Sequence, residues 1–413
     1  MRPRAAACDC RAMTLPHGIT IRSATADDDA AITLLADTAF GMRLPAAMQA
    51  PARRVFAVED AVVAVDGGRV VGATKAATMT LTVPGERTVQ ACGIGGVCVA
   101  PTHRRRGILR AMYTEQHRRT EAEGLPLTIF TVSQGTIYGR FGYGPTIREN
   151  SVRIDRRFAE FRPTTPNPGG VELATPTEVT DRVAEIYDRW RRLVPGAQVR
   201  PQARWEALFA DPAEFRSGGT DLFTFLHPDG YALYRYQYTQ DEKTAEVVEM
   251  RTVTADAHAA LWRALLGLEL VTHVDAVLSD NDPLPYLLTD IRLVRTTARY
   301  DALWLRLMDI PAALTARSYR RDLDVVLAVT DPFRDAGGVF ALTVRDGVAE
   351  CAPTTRPADL ELGIDVLAGM YLGAYPARVF ANANRLQAKD SGTVRAVEDA
   401  FGSERDAVLG WFF

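Results

Sequence analysis

Lysine is nearly missing from this chain of 413 residues: it occurs only at Lys75, Lys243 and Lys389, and arginine supplies the rest of the 48 basic residues. With the abundant alanine, that bias reflects a GC-rich coding genome more than a function. Cysteine is scarce as well. Cys8, Cys10, Cys92, Cys98 and Cys351 show no paired disulfide or metal-ligand spacing, and the odd count fits a reducing cytosol. A cytoplasmic protein without a metal is expected. No stretch approaches the roughly 20 apolar residues that a membrane helix needs. The opening MRPRAAACDCRAMTLPHG is basic but lacks the apolar run of a signal peptide, so residues 1–17 are expected to be a disordered extension, with Met13 a candidate start. A net charge of only -3 gives no overall pull toward nucleic acid or a membrane, and neither is expected as a partner.

What is present is ordinary globular chemistry, with 47% hydrophobic and 24% charged residues. The length is too great for one core and calls for two or three domains. Ile19-Thr20-Ile21-Arg22 alternates like a strand, and Thr25-Ala26-Asp27-Asp28-Asp29 offers a cap and an acidic first turn for a helix to about Phe40. A Pro/Ala-rich loop follows. Arg54 to Val65 reads as a strand, Asp66-Gly67-Gly68 as a hairpin turn, and Arg69 to Val83 as the returning strand. After Pro84-Gly85 comes a strand ending at Val99, a helix from about Arg105 to Glu123, and a buried strand from Leu125 to Val132. That strand–helix–strand unit implies a parallel pair with a crossover.

Gly95 to Gly107, GGVCVAPTHRRRG, carries the first chemical signal. An apolar strand (Val97, Cys98, Val99) turns at Pro101 and enters a helix through His103-Arg104-Arg105-Arg106-Gly107. Helix N-terminal N–H groups, the positive end of the helix dipole and three arginines together suit a pyrophosphate. The triphosphate loop G-x-x-x-x-G-K-[ST] is absent. The other readings of His103 to Arg106 are a solvated helix start or a nucleic-acid contact. Strand, proline and glycine in these places favour the phosphate. The order V-x-V-x-P-x-x-R-R-x-G resembles motif A of the GNAT acyltransferase superfamily, whose anion is the pyrophosphate of acetyl-CoA. Gly107 matches its first glycine, and Leu109 stands where a small residue is usual.

Ser133-Gln134-Gly135-Thr136-Ile137-Tyr138-Gly139-Arg140-Phe141-Gly142-Tyr143-Gly144-Pro145 follows the next strand, where GNAT folds splay two strands apart for the pantetheine arm. A phenol, with an ordinary pKa of about 10, is matched to protonate a departing thiolate whose thiol lies near 8.5. The other reading of Tyr138 and Tyr143 is aromatic packing in a glycine-rich turn. Beyond a break at Pro163 to Gly170, the elements repeat: a helix near Pro176–Val194, strands near Leu222–Leu226, Gly230–Tyr238 and Glu246–Thr254, then a helix from Ala255 to Leu266. Where this echo should carry an anion loop it reads Arg251-Thr252-Val253-Thr254-Ala255-Asp256-Ala257-His258, with no glycine and with an aspartate. It reads as a GNAT-like repeat that has lost its cofactor. A third region, from about Tyr300, shows a strand at Asp301–Asp309, a short helix at Ile310-Pro311-Ala312, strands at Asp324–Thr330 and Gly338–Arg345, and helices at Leu362–Met370 and Val394–Phe401.

VAPTHRRRG followed by SQGTIYGRFGYGP resembles the Eis (enhanced intracellular survival) family of actinobacterial N-acetyltransferases. The likeness continues through Leu226 to Arg235, Thr252 to His258, Asp282 to Asp290, Leu303 to Met308 and Ala383-Asn384-Arg385-Leu386. It covers essentially everything from Ile19 onward. The resemblance implies an α/β (α+β) architecture: a catalytic GNAT domain over 18–160, a degenerate GNAT-like domain over 171–298 and a sterol-carrier-protein-like domain over 299–413. It also implies a hexamer and acetyl-CoA-dependent transfer to the amines of aminoglycosides, lysine side chains or similar small-molecule and peptide substrates.

By position, the resemblance places the backbone at Val97 and Val99 along the pantetheine and Arg104, Arg105 and Gly107 at the pyrophosphate, with Cys98, Arg106 and Ile108 also expected among the cofactor-binding residues. It places Ser133 near the acetyl end. Tyr138 matches the general acid, and the C-terminal carboxylate, here that of Phe413, matches the base. Physics supports a docked end independently. Burying an aromatic side chain is worth roughly 1.5–3 kcal/mol, so leaving Trp411, Phe412 and Phe413 all in water is unfavourable. A carboxylate docked with them is desolvated, which raises its pKa and improves it as a base. The alternative is a tail that merely plugs the third domain. A covalent route through Cys98 is disfavoured by its place between strand valines. Non-catalytic lipid carriage by the third domain is the competing function, and the intact Arg104–Gly107 loop argues against it. Aminoglycoside-acetylating relatives carry acids where this chain has Met42 and Phe412, so a less charged or more aromatic amine is expected.

Overall fold

The computed structural model describes residues 18–239 and 242–413, and the extension expected over residues 1–17 lies outside them. The first elements are β1 (Ile19–Ser23), α1 (Asp29–Phe40), α2 (Ala46–Val55), β2 (Val62–Asp66), β3 (Arg69–Val83) and β4 (Arg87–Val99). They are followed by α3 (Ile108–Ala122), β5 (Leu127–Phe130), α4 (Gly135–Tyr138) and β6 (Gly144–Asp155). Next come β7 (Glu172–Ala174), α5 (Thr180–Leu193), α6 (Gln202–Ala210), β8 (Phe223–His227), β9 (Gly230–Tyr238) and β10 (Lys243–Thr252). This middle part closes with α7 (Ala255–Leu266), β11 (His273–Leu278), α8 (Leu284–Leu287) and β12 (Val294–Leu307). The last part holds α9 (Ile310–Ala316), β13 (Leu323–Thr330), β14 (Gly338–Arg345), β15 (Val348–Pro353) and β16 (Leu360–Gly363). It ends with α10 (Ile364–Met370), α11 (Ala377–Asn382), β17 (Leu386–Ala388) and α12 (Ser391–Phe401).

These elements fall into two units. One takes the described residues up to Leu44 with Phe56–Ala76 and Ile94–Arg119. In it β1 pairs antiparallel with β2, and β2 with β3 across the expected hairpin. The period-two alternation of a strand sends Val63 and Val65 to one face, with Ile32 and Leu35 of α1. It sends Val62 and Ala64 to the other, with Ile108 and Met112 of α3. Both faces are covered, which is why β2 reads as a continuous apolar run.

The second unit takes Pro45–Val55, Ala77–Gly93 and everything from Thr120. β4 and β5 are parallel, as the crossover requires, but their register covers only Ala91–Gly93 against Leu127–Ile129. β4 runs on to Val99 beyond that pairing. The sheet continues in the order β5-β12-β6-β11-β10-β9-β8-β7. Leu261, Trp262, Leu265 and Leu266 of α7 pack on its middle strands. A separate sheet, ordered β15-β14-β13-β16-β17, forms the last part, with β13 and β16 parallel.

Several expectations are corrected. The Pro/Ala-rich loop and the start of the strand expected from Arg54 are helix α2, and the strand begins only at Val62. Four alanines favour that helix despite Pro51 inside it, and Arg54 pairs with Glu206 of α6, 3.1 Å away, to hold it. α3 starts at Ile108 rather than Arg105, because Arg105 and Gly107 both have positive φ. The strand expected at Asp301–Asp309 is the end of β12 and pairs with β5 and β6, not with the last sheet. β6 and α6 have no counterpart among the expected elements.

Candidate active site

Val97 and Val99 are half-buried at the end of β4, and Cys98 between them is buried against α1 and β2. Burial pushes the Cys98 thiol up to about 11, despite a backbone hydrogen bond from Ala73 and the charge of Lys75. At neutral pH it is a protonated, inaccessible thiol, which removes it as a nucleophile. The chain then makes one turn over Pro101–His103. His103 is tied on both sides: Nδ1 lies 2.8 Å from Thr102 Oγ1, and Nε2 lies 3.1 Å from Asp66 Oδ2 of the hairpin. Behind that anchor Arg104, Arg105 and Arg106 are exposed, and no described residue engages their guanidinium groups. Arg105 at φ 64° and Gly107 at φ 78° bend the backbone into the start of α3, whose first turn carries no acidic residue. Helix geometry leaves the N–H groups of such a first turn without partners inside the helix. Ile108 is buried beneath it. This donor set fits a pyrophosphate.

In the second unit Tyr138 closes the single turn α4, and a further turn, Gly139–Phe141, follows it. Tyr138 is buried with its ring 4.5 Å from that of Phe130, whose ring also stands 4.5 Å from that of Tyr143. Thr128 Oγ1 donates to the Tyr143 hydroxyl at 3.0 Å. Full burial drives the Tyr143 hydroxyl far above the ordinary phenol range, so it is a structural neutral group. Ser133 is exposed just before α4.

The chain end is docked, and not on the third region. Gln198 Oε1 accepts from the N–H groups of Gly410 at 3.1 Å and Trp411 at 3.3 Å, while Trp411 Nε1 donates to Val199 O at 3.1 Å. Arg200 donates to Gly410 O at 2.8 Å, and Arg251 donates to Leu409 O at 3.0 Å and Gly410 O at 3.1 Å. Arg204 donates to Phe412 O at 2.8 Å and covers the Trp411 ring. Thr131, next to the Phe130 that packs on Tyr138, donates its hydroxyl to the oxygen of Phe413. Gly410 is required in this cradle, since a Cβ there would stand 2.4 Å from Tyr187 Oη and 2.6 Å from Gln198 Oε1. Trp411 is buried and Phe413 half-buried, but Phe412 is 68% exposed, so only two of the three aromatic residues dock.

The cradle residues Thr131, Gln198, Arg200, Arg204 and Arg251 carried no signal in the sequence except Arg251, which heads the degenerate loop. There Arg251 holds the tail, and Thr254 caps α7 with its own side chain, accepting from Ala257 N at 3.2 Å. Glu249 sits under both arginines and binds Arg200 through two hydrogen bonds of 2.9 and 2.6 Å. Burial alone would raise the Glu249 carboxyl, but the charges of Arg200 and Arg251 and hydrogen bonds from Arg200 and Tyr231 hold it down at about 2. A depressed carboxyl contributes stability above its unfolded pKa, near 4.3, and loses it as pH falls toward the folded value. Glu249→Gln strands a buried guanidinium and should cost about 3–5 kcal/mol at pH 7. Urea unfolding of both proteins should show that gap closing as the pH falls from about 4 toward 2.

Among the described residues no group of three or more His, Cys, Asp or Glu could hold a metal ion, and no helix is long and apolar enough to cross a membrane. Comparison with known proteins agrees with the architecture. Residues 20–146 match an acetyltransferase (GNAT) domain, residues 196–307 a second such domain, and residues 310–410 a sterol carrier protein domain. N-acetyltransferase Eis of Mycobacterium tuberculosis is 45% identical over 94% of this chain and 97% of its own. An uncharacterized N-acetyltransferase of Streptomyces griseus is 33% identical, with 83% of this chain and 86% of its own covered. The crystal structure of Eis1 from Mycobacterium abscessus superposes with a TM-score of 0.85 at 28% identity, covering 95% of this chain and all of that one. Two GNAT domains followed by a sterol carrier protein domain define an acyltransferase of the GNAT class. Within that class, the chain belongs to the Eis family of N-acetyltransferases.

Proposed function

We propose that this enzyme acetylates primary amines with acetyl-CoA by direct attack, using Tyr138 as general acid and the terminal carboxylate of Phe413 as base. The observation that carries the reading is the docking of the Phe413 oxygen on Thr131, one residue from the ring that packs on Tyr138. Arg104, Arg105, Arg106 and the N–H groups entering α3 hold the pyrophosphate, with Gly107 and Ile108 shaping the turn. The backbone at Val97–Val99 aligns the pantetheine, with Cys98 serving only as packing. Ser133 lies toward the acetyl end. Bound acetyl-CoA supplies an acetyl group activated as a thioester. The Phe413 carboxylate removes a proton from the substrate ammonium, so that nitrogen can form its bond to the acetyl carbon. As the carbon–sulfur bond breaks, the Tyr138 hydroxyl gives its proton to sulfur, the nitrogen passes its second proton through water to the Tyr138 phenolate, and the Phe413 carboxyl gives up its proton to water.

The substrate is an amine with few charges and an apolar or aromatic body. Two departures support this. Phe412 is exposed at 68% beside the docked terminus, and Met42 is exposed at 51% after α1, where acids stand in aminoglycoside-acetylating relatives. Carboxylates attract multiply charged amines, and removing two weakens that attraction. A thiol-release assay with acetyl-CoA and a panel of aminoglycosides, polyamines, arylalkylamines and lysine peptides tests it. The arylalkylamines should give the highest kcat/KM, and Phe412→Glu should shift preference toward aminoglycosides. A parent enzyme that prefers aminoglycosides contradicts the assignment.

A further inference from the structure

The loop after Tyr138 is held by a buried ion pair that the reaction scheme leaves unused. Arg306, near the end of β12, and Asp331, just past β13, form a salt bridge in which both side chains are 0% exposed. Arg306 Nη1 also donates to Phe141 O at 2.6 Å. Asp331 is fixed in turn by the N–H groups of Phe333 and Arg334, at 3.3 and 3.4 Å. The Phe141 ring meets Phe333 edge-on at 5.0 Å. Gly142 fits the arrangement closely, because a Cβ there would lie 1.8 Å from Arg306 Nη1.

Two physical points give this pair a purpose. A one-turn helix such as α4 cannot hold its own conformation, so the orientation of Tyr138 depends on what grips the chain on either side. Replacing a fully buried ion pair with apolar residues of similar volume is often neutral or stabilising, so stability does not account for keeping one here. What the pair supplies is direction: one guanidinium linking a fixed carboxylate to the carbonyl three residues after Tyr138.

We infer that Arg306 and Asp331 are positioning residues for Tyr138, a clamp that sets the angle at which its hydroxyl meets the leaving sulfur. The three partners, Phe141, Arg306 and Asp331, come one from each of the three matched domains. The sterol carrier protein domain is thereby tied to acetyl transfer at a point other than the chain end. This inference rests on the acid role proposed for Tyr138.

The test combines Arg306→Met with Asp331→Asn, which removes both charges and nearly keeps the volume, in the parent and in a Tyr138→Phe background. The clamp predicts parent-like thermal unfolding, a KM for acetyl-CoA within about twofold, and a kcat lowered about 10-fold to 100-fold, the range a small misplacement of a reacting group produces. In the Tyr138→Phe background the same pair of changes should lower kcat by less than about twofold, since the misplaced group is already gone. Parent-like kcat in a folded protein, or an equal loss in both backgrounds, overturns the clamp alone. If Tyr138→Phe by itself keeps parent kcat, both the acid role and the clamp fail. Should the double variant not fold, Arg306→Lys keeps a charge opposite Asp331 but cannot hold both partners, and it should show the same loss confined to the Tyr138 background.

Discussion

Tyr138→Phe should lower kcat by about 10²-fold or more while leaving acetyl-CoA affinity and thermal unfolding close to the parent, because general acid catalysis contributes on the order of 10²–10⁴. The change removes one oxygen from a ring whose packing on Phe130 is unaltered. The residues proposed for the pyrophosphate, Arg104 to Gly107, are untouched, so equilibrium binding of acetyl-CoA should persist. Tyr143 provides the contrast within the same aromatic cluster. Its hydroxyl accepts from Thr128 inside the core. Tyr143→Phe should therefore cost about 1–3 kcal/mol of stability by leaving that donor unsatisfied, with a far smaller effect on kcat in the folded fraction. Single-turnover acetyl transfer and thermal unfolding on the two variants separate the chemical tyrosine from the structural one. Equal effects on both measurements would place Tyr138 among the packing residues.

The second large effect is expected at the chain end. Appending two glycines after Phe413 converts its carboxylate into a peptide carbonyl and moves the charge two residues away. The cradle of Gln198, Arg200, Arg204 and Arg251 grips Leu409 to Phe412 and survives the extension. Stability should fall little, whereas kcat should drop by about 10²-fold or more. Removing Phe413 is a less clean experiment, because a new carboxylate then forms on Phe412, whose oxygen Arg204 already holds. Turnover by the extended protein at the parent rate would mean that the end is an anchor and not a base.

The turn from Val99 into α3 and the Tyr138 segment were legible in the sequence as local structure, because each depends on its neighbours along the chain. A strand, a proline, three arginines and a glycine, or a tyrosine among glycines after a strand, need only neighbours along the chain to take their form. The tail was legible only in part. Its three aromatic residues indicate burial, but Gly410 meets Gln198 across 212 positions, and nothing local marks Gln198 or Arg200 as its receptor. Phe412 pointing outward also escapes a hydrophobicity argument, since the cradle holds that residue by its carbonyl and not by its side chain. Helix α2 was hidden by Pro51, which reads as a breaker, while the packing that outweighs it comes from α6, far along the chain. Arg306 left a faint signal: a single charge in the apolar run Leu303-Trp304-Leu305-Arg306-Leu307-Met308, which makes sense only once Asp331 and Phe141 are beside it.

The proposed reaction depends most directly on the charge at the chain end. A semisynthetic protein ending in the carboxamide of Phe413 keeps every side chain and every cradle hydrogen bond to Leu409, Gly410 and Phe412. Its kcat for acetyl transfer to an arylalkylamine, measured at neutral pH beside its acetyl-CoA affinity, is the decisive comparison. The predicted result is a loss of about 10²-fold or more in kcat with affinity unchanged. A carboxamide protein that turns over at the parent rate would contradict it.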